Sequence, residues 1–467
     1  MKKLLVVLFA LGLVFAFSAP VMAADIDVSG SYYVRGWYDS NSALEKESTA
    51  NALYQQRLRV MTTFKVVEGL KLTTQFDALE QTWGSTAPAA QDAADSTTGI
   101  HSGWSADTAA GNVSMEMTRL DFVTKVGLIS VGYWDTNSWG LTFGNNTFKV
   151  GRIQWTVPIG ENFYAVAGLE KDYEGDSKDG RTANTALPTP LPPSLGGEYS
   201  DTDNDAYILA GIYRSEGIEA GLLWKHVRNA SQRPSIFGAV NPPIESTLIT
   251  ADALTPYAKA TFGDFYVEAQ LYWADGQLEY EDAFSAVPDT DLEGLSWYLM
   301  GKYTVGPAYV GALAAYSQGN DPNSTTKEGA VVNGGWDWNP CLILWNDDFN
   351  KKANGYLGHE DDAYTDGQMR NAFLYQVFAG WNPMKDLALK ASVSYAKADE
   401  DEAEVGAGWD DEYGTEFDIT ANYKIYDNLD YMVGFGYFMA GDYYKGAVAT
   451  TTVDDTYLLV HKLTLSF

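Results

Sequence analysis

The sequence predicts an all-β chain, a transmembrane antiparallel up-and-down β-barrel of about 18 strands, with 16 as the nearest alternative. Three observations predict it. Many segments alternate apolar and polar residues with the period of two that a strand with one greasy and one wet side requires. The gaps between these segments are short and long in turn, as in barrels with tight turns at one rim and long loops at the other. Beyond the first residues, charges and glycines interrupt every apolar stretch, so any membrane span must be made of strands rather than helices.

The chain begins Met1-Lys2-Lys3, continues with an apolar run from Leu4 to Phe17, and then reads Ser18-Ala19-Pro20-Val21-Met22-Ala23-Ala24. A positive start, a short apolar stretch and small residues form a secretory signal peptide, cleaved after Ala23. Residues 1–23 are thus read as the signal and 24–467 as one barrel. The apolar run, about 14 residues, is shorter than the roughly 20 that a spanning helix needs. Composition agrees: 467 residues carry a net charge of -31, 14% aromatic residues, 44 Gly and 30 Tyr. Tyrosine and tryptophan suit the aromatic girdles at both membrane interfaces, and glycine suits bent, tightly packed strands. So acidic a chain is a poor match for nucleic acid, whose phosphates need clustered Lys and Arg. The single Cys341 permits no disulfide framework, and no metal or haem attachment pattern is present, so no cofactor is expected.

Turn chemistry marks the short gaps at Val67-Glu68-Gly69-Leu70, Pro158-Ile159-Gly160-Glu161, Ser215-Glu216-Gly217, Phe262-Gly263-Asp264, Val305-Gly306-Pro307, Asn382-Pro383-Met384-Lys385 and Tyr426-Asp427-Asn428. Long gaps fall between them, the longest from Gln318 to Thr365. Strand faces are clearest near the end of the chain. Phe417, Ile419, Ala421, Tyr423 and Ile425 would face lipid, with Glu416, Asp418, Thr420, Asn422 and Lys424 inward. The segment Thr147 to Val157 switches parity, which predicts a bulge near Gly151-Arg152. The last strand alternates to its end, placing Leu463, Leu465 and Phe467 on one face. Such a strand, closed by an aromatic residue, resembles the signal that outer-membrane barrels present to the barrel assembly machinery.

Parity also gathers charges. Arg35, Arg57, Arg59, Lys71, Arg119 and Lys125 fall on the inward face of the first four strands, a basic wall lining the pore. Glu268, Glu416, Asp418 and Asp430 form an acidic wall opposite. Dense carboxylates in the long gaps, such as Asp399-Glu400-Asp401-Glu402, would repel one another in solvent or hold divalent cations against lipopolysaccharide. The longest gap contains Trp336, Trp338, Cys341 and Trp345 in a run too apolar for water, so it should narrow the pore or form a lid or contact surface, with Cys341 a buried free thiol.

Enzymatic chemistry has little support. The four histidines are scattered, and His226 near Ser231 is the sole local pair resembling a nucleophile and its base. No catalytic or metal-binding residue is assigned.

The stretches Gly414-Thr415-Glu416-Phe417-Asp418-Ile419, Tyr423-Lys424-Ile425-Tyr426-Asp427-Asn428-Leu429, Gly434-Phe435-Gly436-Tyr437-Phe438 and Gly441-Asp442-Tyr443 resemble the C-terminal region of alginate-export-type outer-membrane barrels and related deltaproteobacterial porins. That resemblance implies 18 strands. The expected function is an outer-membrane channel for passive diffusion of small hydrophilic solutes or ions. A selective channel or exporter for acidic saccharides is the alternative, and a scaffold barrel sheathing a redox or adhesion partner a third reading. Outer-membrane lipid, lipopolysaccharide and the assembly machinery are the expected partners, and the barrel could form homo-oligomers.

Overall fold

A computed structural model describes residues 25–41, 44, 50–83, 113–136, 138–145, 149–174, 203–231, 247–280, 288–321, 323–329, 337–346, 348–349, 368–400, 410–445 and 452–467. The expected signal peptide, Trp336, Asp401 and Glu402 lie outside these residues.

Among the described residues, the strands are β1 (Asp25–Asp39), β2 (Asn51–Val67), β3 (Leu70–Thr82), β4 (Val113–Thr124), β5 (Gly127–Asp135), β6 (Lys149–Ile159), β7 (Phe163–Tyr173), β8 (Asn204–Ser215), β9 (Ile218–Asn229), β10 (Thr247–Phe262), β11 (Phe265–Tyr280), β12 (Thr290–Val305), β13 (Ala308–Ser317), β14 (Lys327–Glu328), β15 (Ala372–Met384), β16 (Leu387–Lys397), β17 (Glu412–Tyr426), β18 (Leu429–Ala440) and β19 (Thr456–Ser466). All but β14 pair antiparallel with both neighbours, and β1 pairs with β19, so 18 strands close into a barrel. The two-residue β14 lies in the longest loop and pairs parallel with Leu292 and Glu293 of β12. Closure leaves no open edge, as lipid demands.

The period of two sets which atoms meet lipid. Phe417, Ile419, Tyr423 and Ile425 on β17, and Val433, Phe435 and Met439 on β18, are exposed on the outer face. Their even-numbered neighbours turn inward. At the seam, Arg35 faces Lys462 and Val34 faces Leu463 across the β1–β19 ladder. The Gly30 amide donates to the Phe467 carbonyl at 2.8 Å and the Phe467 amide returns a bond to the Gly30 carbonyl at 3.0 Å. A Cβ on Gly30 would come within 2.3 Å of the Arg59 carbonyl oxygen and 2.8 Å of the Phe467 ring, so glycine is what lets the last residue seat.

One local expectation changes. The bulge anticipated near Gly151-Arg152 is absent, because β6 keeps continuous register with β5 and β7. Val150 is an apolar residue buried on the inward side, and this alone made the parity look broken. Pro256 does interrupt a ladder: the β10–β11 pairing passes from Leu254 to Tyr257. At that gap the Thr255 carbonyl accepts the indole N–H of Trp139, at 2.8 Å, from a loop inside the barrel.

Candidate functional site

Two loops fold into the barrel. The longer one, between β13 and β15, brings Trp338, Cys341–Trp345 and Phe349 into a core with the inner faces of β15 to β19. Its apolar side chains are driven there by the water they leave. Polar groups on the wall then fix its position. Gln376 donates to the Pro340 carbonyl at 2.9 Å, and the Cys341 thiol donates to Ser394 Oγ at 3.2 Å. Glu416 Oε1 accepts the amides of Leu342 and Ile343 at 2.9 and 2.7 Å, and Oε2 accepts that of Leu344 at 2.8 Å. Gly434 and Gly436 leave room for the loop: a Cβ on Gly436 would stand 3.2 Å from that of Leu342.

The turn of this loop is left-handed at Trp345, with φ of 50°, and its ring lies 5.9 Å from Tyr413. Beyond it, Asp348 reaches the adjoining strands β1 and β19, 3.2 Å from Arg35 and 2.9 Å from Lys462. Burial raises the Asp348 carboxyl, but Lys462 and Arg35 together outweigh it and hold it below its ordinary range. Burial, then Glu416 and Asp418, push the Cys341 thiol well above its own.

The second inward loop follows β5. Trp139, Leu141 and Phe143 pack on β10 to β12, and Gln270 on β11 accepts the Leu141 amide at 2.8 Å while donating to the Trp139 carbonyl at 3.1 Å. The loops meet where Phe143 stands edge-on to Trp338 at 5.0 Å. Sequence reasoning left this loop among the ordinary outer ones. The signal was the apolar set Trp139, Leu141 and Phe143 opposite a strand broken by Pro256.

The wall from β19 through β1 to β9 carries the cations. A repeated unit organises it, in which one carboxylate is shared by two cations. Asp348 serves Arg35 and Lys462. Asp77 serves Arg59, at 2.6 Å, and Arg57, at 3.9 Å. Asp121 serves Arg119, at 3.1 Å, and Lys71, at 3.5 Å. Glu170 serves Lys225, at 2.8 Å, and Arg152, at 3.2 Å. Glu80, which lies 3.6 Å from Arg57, adds a further negative charge, so eight cations face five carboxylates in this set. Arg35, Arg57 and Lys462 also stand 5.0 to 5.1 Å from the Tyr33 ring centroid, a cation–π cluster beside Asp348.

Several expected residues fall elsewhere. Lys125 is not on the fourth strand: the β4 ladder ends at Thr124, whose hydroxyl donates to the Gly127 carbonyl at 2.8 Å, and Lys125 sits exposed in that turn. The four acidic residues do not form one wall. Glu416 is 0% exposed and Asp418 8%, both beneath the long loop. Glu268 accepts the hydroxyls of Tyr266 and Tyr298 at 2.6 and 2.9 Å. Asp430 is exposed, opposite Lys424 and Thr464 in the ladders. Glu170 is in β7 and buried.

His226 bonds Asp252 at 3.1 Å, and the Ser231 hydroxyl donates to Asn229, so the sole local Ser–His candidate does not pair. Cys341, Glu416 and Asp418 place three potential metal-ligand atoms within 4.8 Å of one another. Both Glu416 oxygens already accept loop amides and the thiol points to Ser394, so the group is filled by the protein itself.

A closed antiparallel barrel, apolar outside and charged within, with loops folded into its lumen, defines an outer-membrane channel for small solutes. The chain belongs to the Gram-negative porin family, whose model matches residues 9–340. Among solved structures it is similar to OccAB1 of Acinetobacter baumannii, at 12% identity and a TM-score of 0.52, covering 96% of this chain and 98% of that one. It is also similar to OccK8 (OprE) of Pseudomonas aeruginosa, at 11% identity and a TM-score of 0.47, covering 94% and 98%. For the anion-selective porin of Comamonas acidovorans the identity is 11% and the TM-score 0.43, covering 95% and 100%. No curated protein matches the sequence.

Proposed function

We propose that this porin is a diffusion channel with a preference for small anionic solutes. The observation that carries the reading is the shared-carboxylate unit, which leaves positive charge on the wall from β19 through β1 to β9 of a chain whose net charge is -31. Fixed charge along a pore biases which ion enters. A narrower reading follows from the likeness of the last strands to alginate-export-type barrels of deltaproteobacteria: an acidic saccharide would use Arg35, Arg57, Arg59, Lys71 and Arg119 as its track. Residues 1–23 are the export signal in this account, and Leu463, Leu465 and Phe467 the outward face that the assembly machinery reads.

The test is a reversal potential across a planar bilayer under a salt gradient. The wild-type channel is expected to prefer anions. Changing Arg35, Arg57, Arg59 and Arg119 together to Gln should move it toward cations. Unchanged selectivity would mean that these charges lie outside the path of the ions. Swelling of proteoliposomes in a small acidic saccharide, compared with its neutral analogue, tests the narrower reading.

A further inference from the structure

We propose that Glu416 is the positioning residue that sets the aperture of the channel, by holding the long loop closed through three consecutive backbone amides. The inference rests on the channel reading and names what fixes the width of its narrow part.

Loop residues 342–344 turn three successive N–H groups toward one point on the wall. Such a concave run of amides is an anion-binding nest. Here the group in the nest is a side-chain carboxyl of the barrel. Glu416 is fully buried, and three donors on two oxygens require both oxygens to act as acceptors. The neighbouring contacts add to this hold: glycines 434 and 436 open the notch, and Gln376 and Ser394 each bond one end of the Pro340-Cys341 dipeptide. Seating residues 342–344 on Glu416 also carries Asp348 to Lys462 on β19 and Arg35 on β1. The latch therefore controls two properties together, the open width and the charge beside it.

Releasing the latch should widen the channel and free Arg35 and Lys462 from their carboxylate. In Glu416→Gln an NH₂ group replaces one acceptor and meets a loop N–H donor to donor. Planar-bilayer recordings of the full-length barrel should show single-channel conductance rising about twofold, with a reversal potential shifted further toward anions. Loss of barrel structure would not produce that pair of changes. A second variant leaves the wall intact. Ile343→Pro removes one of the three donors and should shift both readouts in the same direction even if Glu416→Gln assembles poorly.

Rescue supplies the decisive arm. Cys341 Sγ lies 3.2 Å from Ser394 Oγ, so adding Ser394→Cys to Glu416→Gln allows a disulfide between the loop and the wall. Oxidation should restore the wild-type conductance, and reduction should release it again. If Glu416→Gln and Ile343→Pro both conduct and select as the wild type does, the proposal is overturned. It is equally overturned if the oxidised cross-link leaves the widened conductance of Glu416→Gln unchanged. A wild-type barrel that assembles but passes no current would instead remove the channel reading beneath it.

Discussion

On β11, Gln270 accepts one loop amide and donates to one loop carbonyl, so a neutral side chain meets a matching strip of backbone. On β17, Glu416 accepts three loop amides. Both anchors bring a loop rich in aromatic and aliphatic residues inside the barrel, yet they differ in what they risk. A neutral amide that loses its partner leaves two ordinary hydrogen-bonding groups unmet. A buried anchor with three inward donors leaves a concentrated positive end of the backbone with nothing opposite it. The long loop, with its three donors on Glu416, is thus held more strongly and more specifically than the loop after β5.

The largest expected effect separates the two anchors directly. Glu416→Ala should destabilise its loop by about 3–5 kcal/mol, the range for removing one member of a buried charged network. Gln270→Ala should cost its loop about 1–3 kcal/mol. Hydrogen exchange of the amides of 341–346 and of 139–145, measured on the assembled barrel, reads each loop separately. Equal protection losses would break the comparison.

A smaller effect tests whether the loops are independent. Phe143 and Trp338 touch edge to face at 5.0 Å, and Phe143 also stacks on Tyr298 at 5.4 Å. A double-mutant cycle with Phe143→Ala and Trp338→Ala, read by the same exchange, should give a coupling of about 0.5–1.5 kcal/mol. A coupling of zero would mean that each loop is held by its wall alone.

The smallest effect sharpens the charge contrast at the tip. Burial, reinforced by Asp135, raises the Asp337 carboxyl above its ordinary value of 3.8, whereas Asp348 is held below it. A depressed carboxyl contributes stability that is complete above its unfolded value and is lost as pH falls through its folded value. On acidification Asp337 should therefore neutralise first, shifting the reversal potential slightly toward anions with conductance unchanged. Only at pH below 3.8 should Asp348 let go of Arg35 and Lys462 and the conductance change. In Asp348→Asn, the second step should disappear while the first remains.

Much of this was legible before any coordinates. Alternation and gap rhythm gave the strand class and number, because a strand's two faces are fixed by its own backbone geometry and the turn residues by their own dihedral preferences. The inward placement of Arg35, Arg57, Arg59 and Arg119 followed from the same parity. The run around Cys341 was recognisable as unfit for water. The Lys125 error had a local cause as well: the two central residues of the turn, Lys125 and Val126, carry no turn chemistry of their own, and its one signal is Gly127 at the far end.

Parity assigns a side chain to the inside of a barrel; it does not say what else is there. Glu416 and Asp418 read as lumen residues and are inside, but the loop, 72 or more positions away in the chain, covers them. Which carboxylate each arginine shares, and that Asp348 crosses to Arg35 at a separation of 313 residues, depend on how closure brings distant strands together. The sequence by itself determined the barrel, its two faces and the apolar loop, all of which are set by neighbours along the chain. The tertiary structure alone decided the latch, the paired cations and the second inward loop, because hydrogen bonds and ion pairs act over a few ångströms and only the closed barrel brings those groups that near.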